Sequence, residues 1–334
     1  MRIDRLIKTV APFGIRHEIA KRYTPLDWWK SRKVSKRIET GSADWKIGQV
    51  LSNNNPALIG RLGGTEARFL GEYEKLKRWQ RIGIPIELVS KFSLQWQRRK
   101  NEIFTNAGFY SNSWEEIESF AKLYADALTD TDVLGAWGVA FTWIEGKFLD
   151  INSTTLIPVG HTAPWVTNYV ETTEDISDPP WSNNLEGKRV LVISAFANSI
   201  TKQHSRIHQV FPAISYPDFN LQTIRSPITA GQRPQSGDTW FELLDAMKFQ
   251  IDSADFDVAL IAAGAFSYPL AAHVKSLGKI GIHCGGGLQL YFGVMGNRWN
   301  NSKEIIEYLN EYWVRPSKDE RPASAGQIEN ACYW

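Results

Sequence analysis

The 334-residue sequence predicts an α/β protein: a Rossmann-like parallel sheet with helices on both faces, plus a helical N-terminal arm. Short apolar and β-branched runs are typical of buried strands, and Arg189–Ser194 and Asp257–Gly264 are clear examples. Helical patterns lie between such runs, and strands that alternate with helices form parallel sheets through right-handed crossovers. We therefore expect Val190–Ser194, Val258–Ala262 and Ile280–His283 to be adjacent parallel strands.

Composition and charge exclude several classes of protein. The chain is 43% hydrophobic and 22% charged, as globular proteins are, and its net charge of +2 gives no electrostatic reason to expect nucleic acid binding. The two cysteines, Cys284 and Cys332, lack the spacing of a zinc site or a disulfide framework, which fits a reducing compartment. No apolar run is long enough to span a membrane, and the sequence starts without a signal-peptide pattern. We therefore expect a cytoplasmic protein.

Three regions are predicted: a basic helical arm at 1–45, an N-terminal α/β half at 46–180, and a Rossmann-like half with a C-terminal tail at 181–334. Residues 171–187 are acidic and rich in Pro and Asn, which is typical of a linker, so the boundary is placed there. In the arm, cations outnumber carboxylates around Trp28-Trp29. Such an arm either contacts the inner face of a membrane peripherally or packs on the body as a solvated helix.

The first strand–helix unit, Pro56–Tyr73, brings a guanidinium and a carboxylate close together in sequence. Its glycine turn, Gly63-Gly64, permits close approach of another group to the backbone. Arg61 and Glu66 flank this turn, and charged groups at such a turn are common in the active sites of α/β folds. The alternative is a structural ion pair between these two side chains.

Helix and strand patterns alternate through the middle of the chain. A helix within 101–128 is predicted to begin after Ser113, with Glu116 placed to complete a capping box. The runs Thr131–Gly146 and Leu156–Gly160 are strand-like. These elements would supply the outer strands of the predicted sheet.

The segment Lys188–Val210 predicts a strand followed by a helix whose N-cap is Asn198 or Ser199. Free backbone N–H groups at a helix start favour the binding of an anion such as a phosphate. The polar groups placed to close on that anion are Lys202, Gln203, His204 and Arg206. The alternative is an ordinary strand–helix unit that binds nothing.

The second half of the chain ends in further strand–helix units. Phe211–Asp238 is predicted to be rich in loops, a helix begins at Thr239, and Pro269 and Gly278 mark the start and the end of another helix. Ligands of parallel sheets bind at the carboxyl ends of the strands. The residues expected to converge there are Asn198, Gly264, His283, Gly285, Gly286 and Gly287.

Three segments together resemble the GT-D-fold glycosyltransferases, a family first described as a domain of unknown function in bacterial glycan clusters. The segments are IGRLGGTEARF, VLVISAFANSITKQ and DVALIAAGAFSYPLAAHVKSLGKIGIHCGGGLQLYFGVMGNRW, and the resemblance covers roughly residues 55–75 and 188–300. It implies a Rossmann-like domain, a nucleotide-sugar donor, and an Asp-x-Glu motif that helps hold a divalent metal on the donor diphosphate.

The sequence departs from the family pattern at the metal motif. Glu66 matches the second carboxylate, but Gly64 stands where the family has Asp. A single carboxylate binds Mg²⁺ or Mn²⁺ poorly unless phosphates and waters complete the shell. Either Glu66 and the donor hold the metal together, or the protein dispenses with it and cations stabilise the leaving diphosphate. Glu66 is also placed to be the base that activates an acceptor hydroxyl.

The resemblance and the residues together predict a glycosyltransferase of surface polysaccharide biosynthesis. It would move a sugar from a nucleotide-diphosphate donor to a glycan or lipid-linked acceptor. Glu66 is the predicted base or metal ligand, and the predicted diphosphate partners are Arg61, Lys202 and Arg298. The predicted donor pocket consists of Gly63, Gly64, Asn198, Ser199, Gly264, His283, Gly285, Gly286 and Gly287. Aromatic faces stack on sugar rings, so the predicted acceptor side consists of Trp137, His161 and Trp165.

Two alternatives stay open at this point. A hydrolase, or an acyl or pyruvyl transferase, would use Ser194 or Ser199 as nucleophile with His204 or His161 as base, although the sequence has no G-x-S-x-G elbow. A non-catalytic nucleotide- or glycan-binding protein is the other alternative, because the motif lacks its Asp.

Overall fold

The computed structural model describes residue 38 and residues 43–137, 142–149, 153–164 and 180–334. The basic arm predicted at 1–45 falls almost wholly outside these residues, so its helix and its membrane contact stay predictions. Trp165 and most of the predicted linker at 171–187 also fall outside them.

A single parallel sheet organises the described part of the chain. Its seven strands follow the order β3-β2-β1-β7-β6-β4-β5, and every neighbouring pair is parallel. The strands are β1 (Ala57–Gly60), β2 (Val133–Ala136), β3 (Thr155–Pro158), β4 (Arg189–Ser194), β5 (Asn220–Arg225), β6 (Val258–Ala262) and β7 (Ile280–His283). This architecture confirms the predicted fold class.

The strand neighbours predicted from sequence are confirmed. β6 lies between β4 and β7, with Val258 opposite Val190 on one side and Ile280 on the other. β7 also pairs with β1, where Leu58 lies opposite Gly281. Strands from the two predicted halves, 46–180 and 181–334, therefore share one sheet.

Helices cover both faces of this sheet. They are α1 (Ala43–Asn53), α2 (Gly64–Gln80), α3 (Ile86–Phe92), α4 (Leu94–Glu102), α5 (Trp114–Thr129), α6 (Thr142–Phe148), α7 (Ala197–His204), α8 (Ile207–Val210), α9 (Trp240–Asp252), α10 (Ser267–Ser276), α11 (Leu288–Tyr291) and α12 (Lys303–Ile306). No helix in the described ranges has both the length and the apolar character needed to cross a membrane.

Alternate residues of each strand enter two separate cores, as the two-residue period of a strand requires. Leu58 and Ile193 pack on one face with large side chains of α2, α5 and α9, such as Phe120. Ile59 and Val192 pack on the other face with α1, α7 and α11. Because both faces are covered, the inner strands of the sheet are largely apolar, and this is why they could be recognised as buried runs.

Local signals at helix ends are confirmed. The Ser113 hydroxyl accepts a hydrogen bond from the Glu116 backbone N–H and caps α5. Thr239 and Glu242 form a reciprocal capping box at the start of α9. Gly278 follows α10 with a φ of +79°, the left-handed conformation that ends many helices.

The sequence analysis missed one strand and extended another too far. The stretch Phe211–Asp238 is loop-rich as predicted, but it also contains β5, which escaped recognition because it is an exposed and polar strand at the edge of the sheet. The strand-like run Thr131–Gly146 holds only four strand residues in β2, and α6 begins at Thr142. The glycines and aromatic residues of that run follow neither the two-residue period of a strand nor the 3.6-residue period of a helix, so the pattern could not distinguish the two.

Candidate functional site

A cleft of about 360 Å³ lies at the carboxyl ends of the strands. Segments that follow β1, β2, β4, β5, β6 and β7 line it, as expected for a parallel α/β sheet. Ten of the predicted site residues line this cleft: Arg61, Gly63, Gly64, Glu66, Trp137, Gly264, His283, Gly285, Gly286 and Arg298.

Arg61 and Gly285 meet because β1 and β7 are neighbours, and both residues follow the ends of these strands. A Cβ atom added to Gly285 would overlap the Arg61 guanidinium, so this glycine lets the guanidinium lie directly on the backbone. Gly285 also has a φ of +68°, which an L side chain rarely adopts. Burial, and then the charge of Arg298, lower the pKa of Arg61, while Tyr333 and Glu66 partly oppose the shift.

Arg298 supplies the second guanidinium of the cleft. Its guanidinium carbon lies 4.8 Å from the centre of the Tyr333 ring, and its side chain forms a salt bridge with Glu329. Its backbone N–H donates to the Cys332 carbonyl at 2.8 Å. Burial lowers the pKa of Arg298, but Tyr333, Cys332 and Glu329 together raise it above its ordinary value. Arg298 is therefore a permanent cation in the cleft wall.

Glu66 is the third residue of α2, and only 6% of its surface is exposed. Its carboxylate folds back over Gly63, where any Cβ atom would overlap it. Burial raises the pKa of Glu66, and its own backbone N–H, Arg68 and Arg61 partly offset this. Within the described residues no salt bridge joins Glu66 to Arg61, so the structural ion pair considered as an alternative does not form.

An uncharged polar wall completes the cleft. Burial, followed by the charge of Arg61, lowers the pKa of His283 to about 3, so its imidazole is neutral near pH 7. The buried atoms His283 Nδ1, Ser226 Oγ and Gln289 Oε1 have no hydrogen-bond partner among the described residues. All three residues line the cleft, and unpaired buried polar atoms of this kind are uncommon in folded proteins. Sequence analysis missed Ser226 and Gln289, because neither stands in a recognisable motif.

The predicted phosphate site at the start of α7 is wrong. α7 begins at Ala197, and the N-terminal turn is already occupied by the buried carboxylate of Glu320, which accepts a hydrogen bond from the Ser199 backbone N–H at 3.1 Å. Asn198 binds Asp319, also through a hydrogen bond. Lys202 is exposed and does not line the cleft. The chain thus supplies its own anion to this helix.

The polar residues that follow Lys202 in the sequence make contacts within the protein. Gln203 donates to the carbonyls of Gly293 and Tyr312, and Arg206 donates to the Gln203 amide oxygen at 2.8 Å. His204 packs beside the Phe219 ring. These contacts hold the segment between α7 and α8 against the body and leave the polar groups with structural roles.

The residues predicted for the acceptor side do not all line the cleft. The Trp137 indole lines the cleft and donates to the Leu62 carbonyl at 2.5 Å. His161 instead pairs with Asp44 at 2.8 Å, outside the cleft. Gly287, predicted for the donor pocket, packs against Ala163 and does not line the cleft either. Trp165 lies outside the described residues.

Sequence analysis missed a whole wall of the cleft, which residues within 328–334 provide. Tyr333 packs on Gly286 so closely that a Cβ atom there would overlap its ring. Glu329, Asn330 and Ala331 have φ values of +44°, +57° and +56°, a run of left-handed residues that costs roughly 1–2 kcal/mol per residue. The contacts of Arg298 and Gln289 with Cys332 and Tyr333 hold this backbone in place. No periodicity in the sequence points to such a segment.

The side chains of the cleft do not fit a metal ion held by the protein. Within the described ranges, no group of three or more His, Cys, Asp or Glu side chains is placed to bind one. The carboxylates that line the cleft are Glu66 and Glu329, and Glu329 is bound to Arg298. Hard cations such as Mg²⁺ need about six oxygen ligands, so these carboxylates alone cannot hold one, and the phosphates of a donor and waters would have to complete its shell.

The serine–histidine arrangement considered as an alternative is also not formed. Ser194 accepts from the backbone N–H of Phe196, and Ser199 donates to Glu320. His161 is paired with Asp44. In the described part of the chain, none of these serines therefore has a histidine base.

Comparison of the chain with protein-family models, with curated proteins and with solved structures found no match. The support for a function therefore comes from the geometry, burial and charge of the cleft.

Proposed function

We propose that this chain is a glycosyltransferase that moves a sugar from a nucleotide-diphosphate sugar to a glycan or lipid-linked acceptor in surface polysaccharide biosynthesis. The observation that carries the proposal is the meeting of two guanidiniums, Arg61 and Arg298, with the buried carboxylate of Glu66 in one cleft. A volume of about 360 Å³ is within the usual range of small-molecule sites.

Arg61 and Arg298 would bind the donor diphosphate. Planar guanidiniums suit phosphate oxygens, and the positive end of α2 points into the same cleft. When the bond between the sugar and the diphosphate breaks, negative charge develops on the leaving oxygen. Cations that the protein holds in place stabilise that charge without reorganising. In this arrangement the guanidiniums take the part that a divalent metal plays in other sugar transfers.

Glu66 would be the general base. Its carboxylate takes the proton of the acceptor hydroxyl while the acceptor oxygen bonds to the anomeric carbon and the diphosphate leaves. A carboxylate whose pKa is raised by burial is a better base near neutral pH than an ordinary one. Trp137 lines the cleft and offers an aromatic face to a sugar ring.

Ser226, His283 and Gln289 would recognise the neutral part of the donor. Sugar and ribose hydroxyls both donate and accept hydrogen bonds, which matches the unused atoms of this wall. A ligand lacking those hydroxyls would leave buried polar atoms unpaired, so the wall favours sugars over apolar groups.

The test is a panel of nucleotide-diphosphate sugars, with EDTA and with Mn²⁺ in parallel. A bound donor raises the melting temperature by mass action, and turnover releases nucleoside diphosphate. We expect both signals with at least one donor, and we expect turnover to persist in EDTA. Arg61→Gln should abolish both, whereas Arg225→Gln, at an exposed arginine bound to Asp319, should change neither.

Two results would count against the proposal. If no donor raises the melting temperature or releases nucleotide, the cleft is not a nucleotide-sugar site. If a donor binds but is never consumed with any glycan acceptor, the chain is a binding protein without catalytic activity.

A further inference from the structure

Exposed apolar side chains concentrate at one corner of the described chain. Five large ones fall within residues 79–94, which we call the 79–94 surface. They are Trp79 (46% exposed), Ile82 (68%), Leu88 (51%), Phe92 (80%) and Leu94 (87%). The other large apolar side chains exposed in the described ranges are scattered along the sequence: Trp45, Phe249, Leu277, Ile306 and Leu309. Single exposed apolar side chains are ordinary, but a cluster marks an interaction site.

The local structure explains why these side chains point outward. α2 ends at Gln80, the chain turns, and α3 and α4 follow. On α3, Ile86 and Ser90 face the core, whereas Leu88 and Phe92, one helical turn apart, lie on the opposite side. Trp96 of α4 is buried and anchors the corner. The outward side chains are therefore not needed for packing within the described chain.

The charge around this surface is strongly positive. Residues 77–94 contain one carboxylate, Glu87, and four cations: Lys77, Arg78, Arg81 and Lys91. Apolar and aromatic side chains mixed with Lys and Arg suit the boundary between headgroups and acyl chains of an anionic bilayer. A second copy of this chain is a poor occupant, because two cationic surfaces would meet face to face.

We propose that the 79–94 surface docks the protein on an anionic lipid bilayer. Ile82, Leu88, Phe92 and Leu94 enter the boundary region, and the four cations lie among the anionic headgroups. α2 runs from the cleft to this surface, and a helix of its 17 residues is about 25 Å long. The lipid-binding surface is therefore separate from the cleft, and its existence does not depend on nucleotide-sugar activity.

The experiment is co-sedimentation of the full chain with vesicles of phosphatidylcholine and phosphatidylserine, and with vesicles of phosphatidylcholine alone. We compare the wild type with an apolar variant, Leu88→Gln/Phe92→Gln/Leu94→Gln, and a charge variant, Arg78→Gln/Arg81→Gln/Lys91→Gln. We expect the wild type to bind the anionic vesicles, and each variant to bind them at least about tenfold more weakly. High salt should weaken vesicle binding by the wild type until it approaches that of the charge variant.

Matched controls make the same chemical changes elsewhere. Phe249→Gln removes a side chain that is 73% exposed on α9. Lys303→Gln/Lys318→Gln/Arg321→Gln removes three exposed cations. Both controls should bind vesicles as the wild type does. Hydrogen exchange of the wild type gives a second measurement, since amides of residues 81–94 should exchange more slowly with anionic vesicles than without them.

Several results would overturn the proposal. Equal vesicle binding by the wild type and both variants would assign lipid binding to another part of the chain. Failure of the wild type to bind anionic vesicles, or unchanged exchange at 81–94, would exclude it directly. If the wild type is a dimer, the apolar variant is a monomer and neither binds vesicles, this surface is a contact between two copies of the chain.

Discussion

The Glu320 carboxylate accepts a hydrogen bond from the Ser199 backbone N–H at 3.1 Å, and the Ser199 hydroxyl also donates to it. The same carboxylate accepts from the backbone N–H of Ser317, at 3.1 Å. One buried anion thus joins the start of α7 to a segment more than a hundred residues later. The sequence correctly predicts that a helix start here attracts an anion, but that anion belongs to the protein.

Replacement of this carboxylate should destabilise the fold. Glu320→Gln keeps the shape but turns one acceptor oxygen into an NH₂ group that faces other donors. We expect the free energy of unfolding to fall by about 1–3 kcal/mol, the usual cost of buried groups left unpaired. Glu311→Gln, at an exposed carboxylate nearby in sequence, should change it by less than about 0.5 kcal/mol. Urea unfolding of both variants measures the difference, and equal stabilities would contradict the structural role of Glu320.

Glu66→Gln should separate catalysis from folding. The amide keeps the shape over Gly63 but cannot take a proton, so turnover of the nucleotide sugar should fall by about 10²–10⁴-fold. Because burial disfavours the charged carboxylate, the melting temperature should stay the same or rise slightly. Donor affinity should change little. A lower melting temperature with an unchanged rate per folded molecule would show that Glu66 is only a structural residue.

Gly285→Ala should remove the place where the Arg61 guanidinium lies. A methyl group there would overlap the guanidinium, so donor binding should weaken about as much as in Arg61→Gln. Gly187→Ala is the matched control, because Gly187 has a similar φ of +71° but no atom within 4 Å of an added Cβ. Both variants carry the same backbone strain, which costs roughly 1 kcal/mol. Isothermal titration with the active donor compares them, and equal affinities would contradict the role of Gly285.

Glu145 should make stability depend on pH. Its carboxyl group is fully buried, and burial raises its pKa from 4.5 to about 8, with a hydrogen bond from the Trp137 backbone only partly opposing this. Between these two pKa values the folded state holds a proton that the unfolded state has lost. The free energy of unfolding should therefore decrease as pH rises from about 5 to 8.

Glu145→Gln tests this effect, because the amide is neutral at every pH. The variant should gain stability relative to the wild type at pH 8, by up to a few kcal/mol, and should lose that advantage near pH 5. Glu87→Gln, at an exposed carboxyl group on α3, serves as the control and should follow the wild type. Parallel unfolding curves of Glu145→Gln and the wild type across this pH range would show that Glu145 does not titrate as expected.

The sequence predicts the sheet well and the site only in part. Buried runs such as Val258–Ala262 are visible because both faces of the sheet are covered, and capping signals such as Ser113 act locally. Residues directly after β1, β6 and β7 enter the cleft because strand direction alone places them there. Lys202 fails as a phosphate partner because a distant carboxylate, Glu320, occupies the helix start. Contacts between remote segments leave no trace in local patterns.

The position of β1 between β2 and β7 determines when this protein can finish folding. Ile59 pairs with Val133 on one side and with Ile282 on the other, and roughly 220 residues separate Ile59 from Ile282. Closing so long a loop costs conformational entropy before the contacts between β1 and β7 can offset it, and this slows folding. A chain emerging from the ribosome would therefore keep one edge of β1 unpaired until β7 is made. Arg61 and His283 follow or end the strands of this pair, so the cleft forms only after β7 has been synthesised.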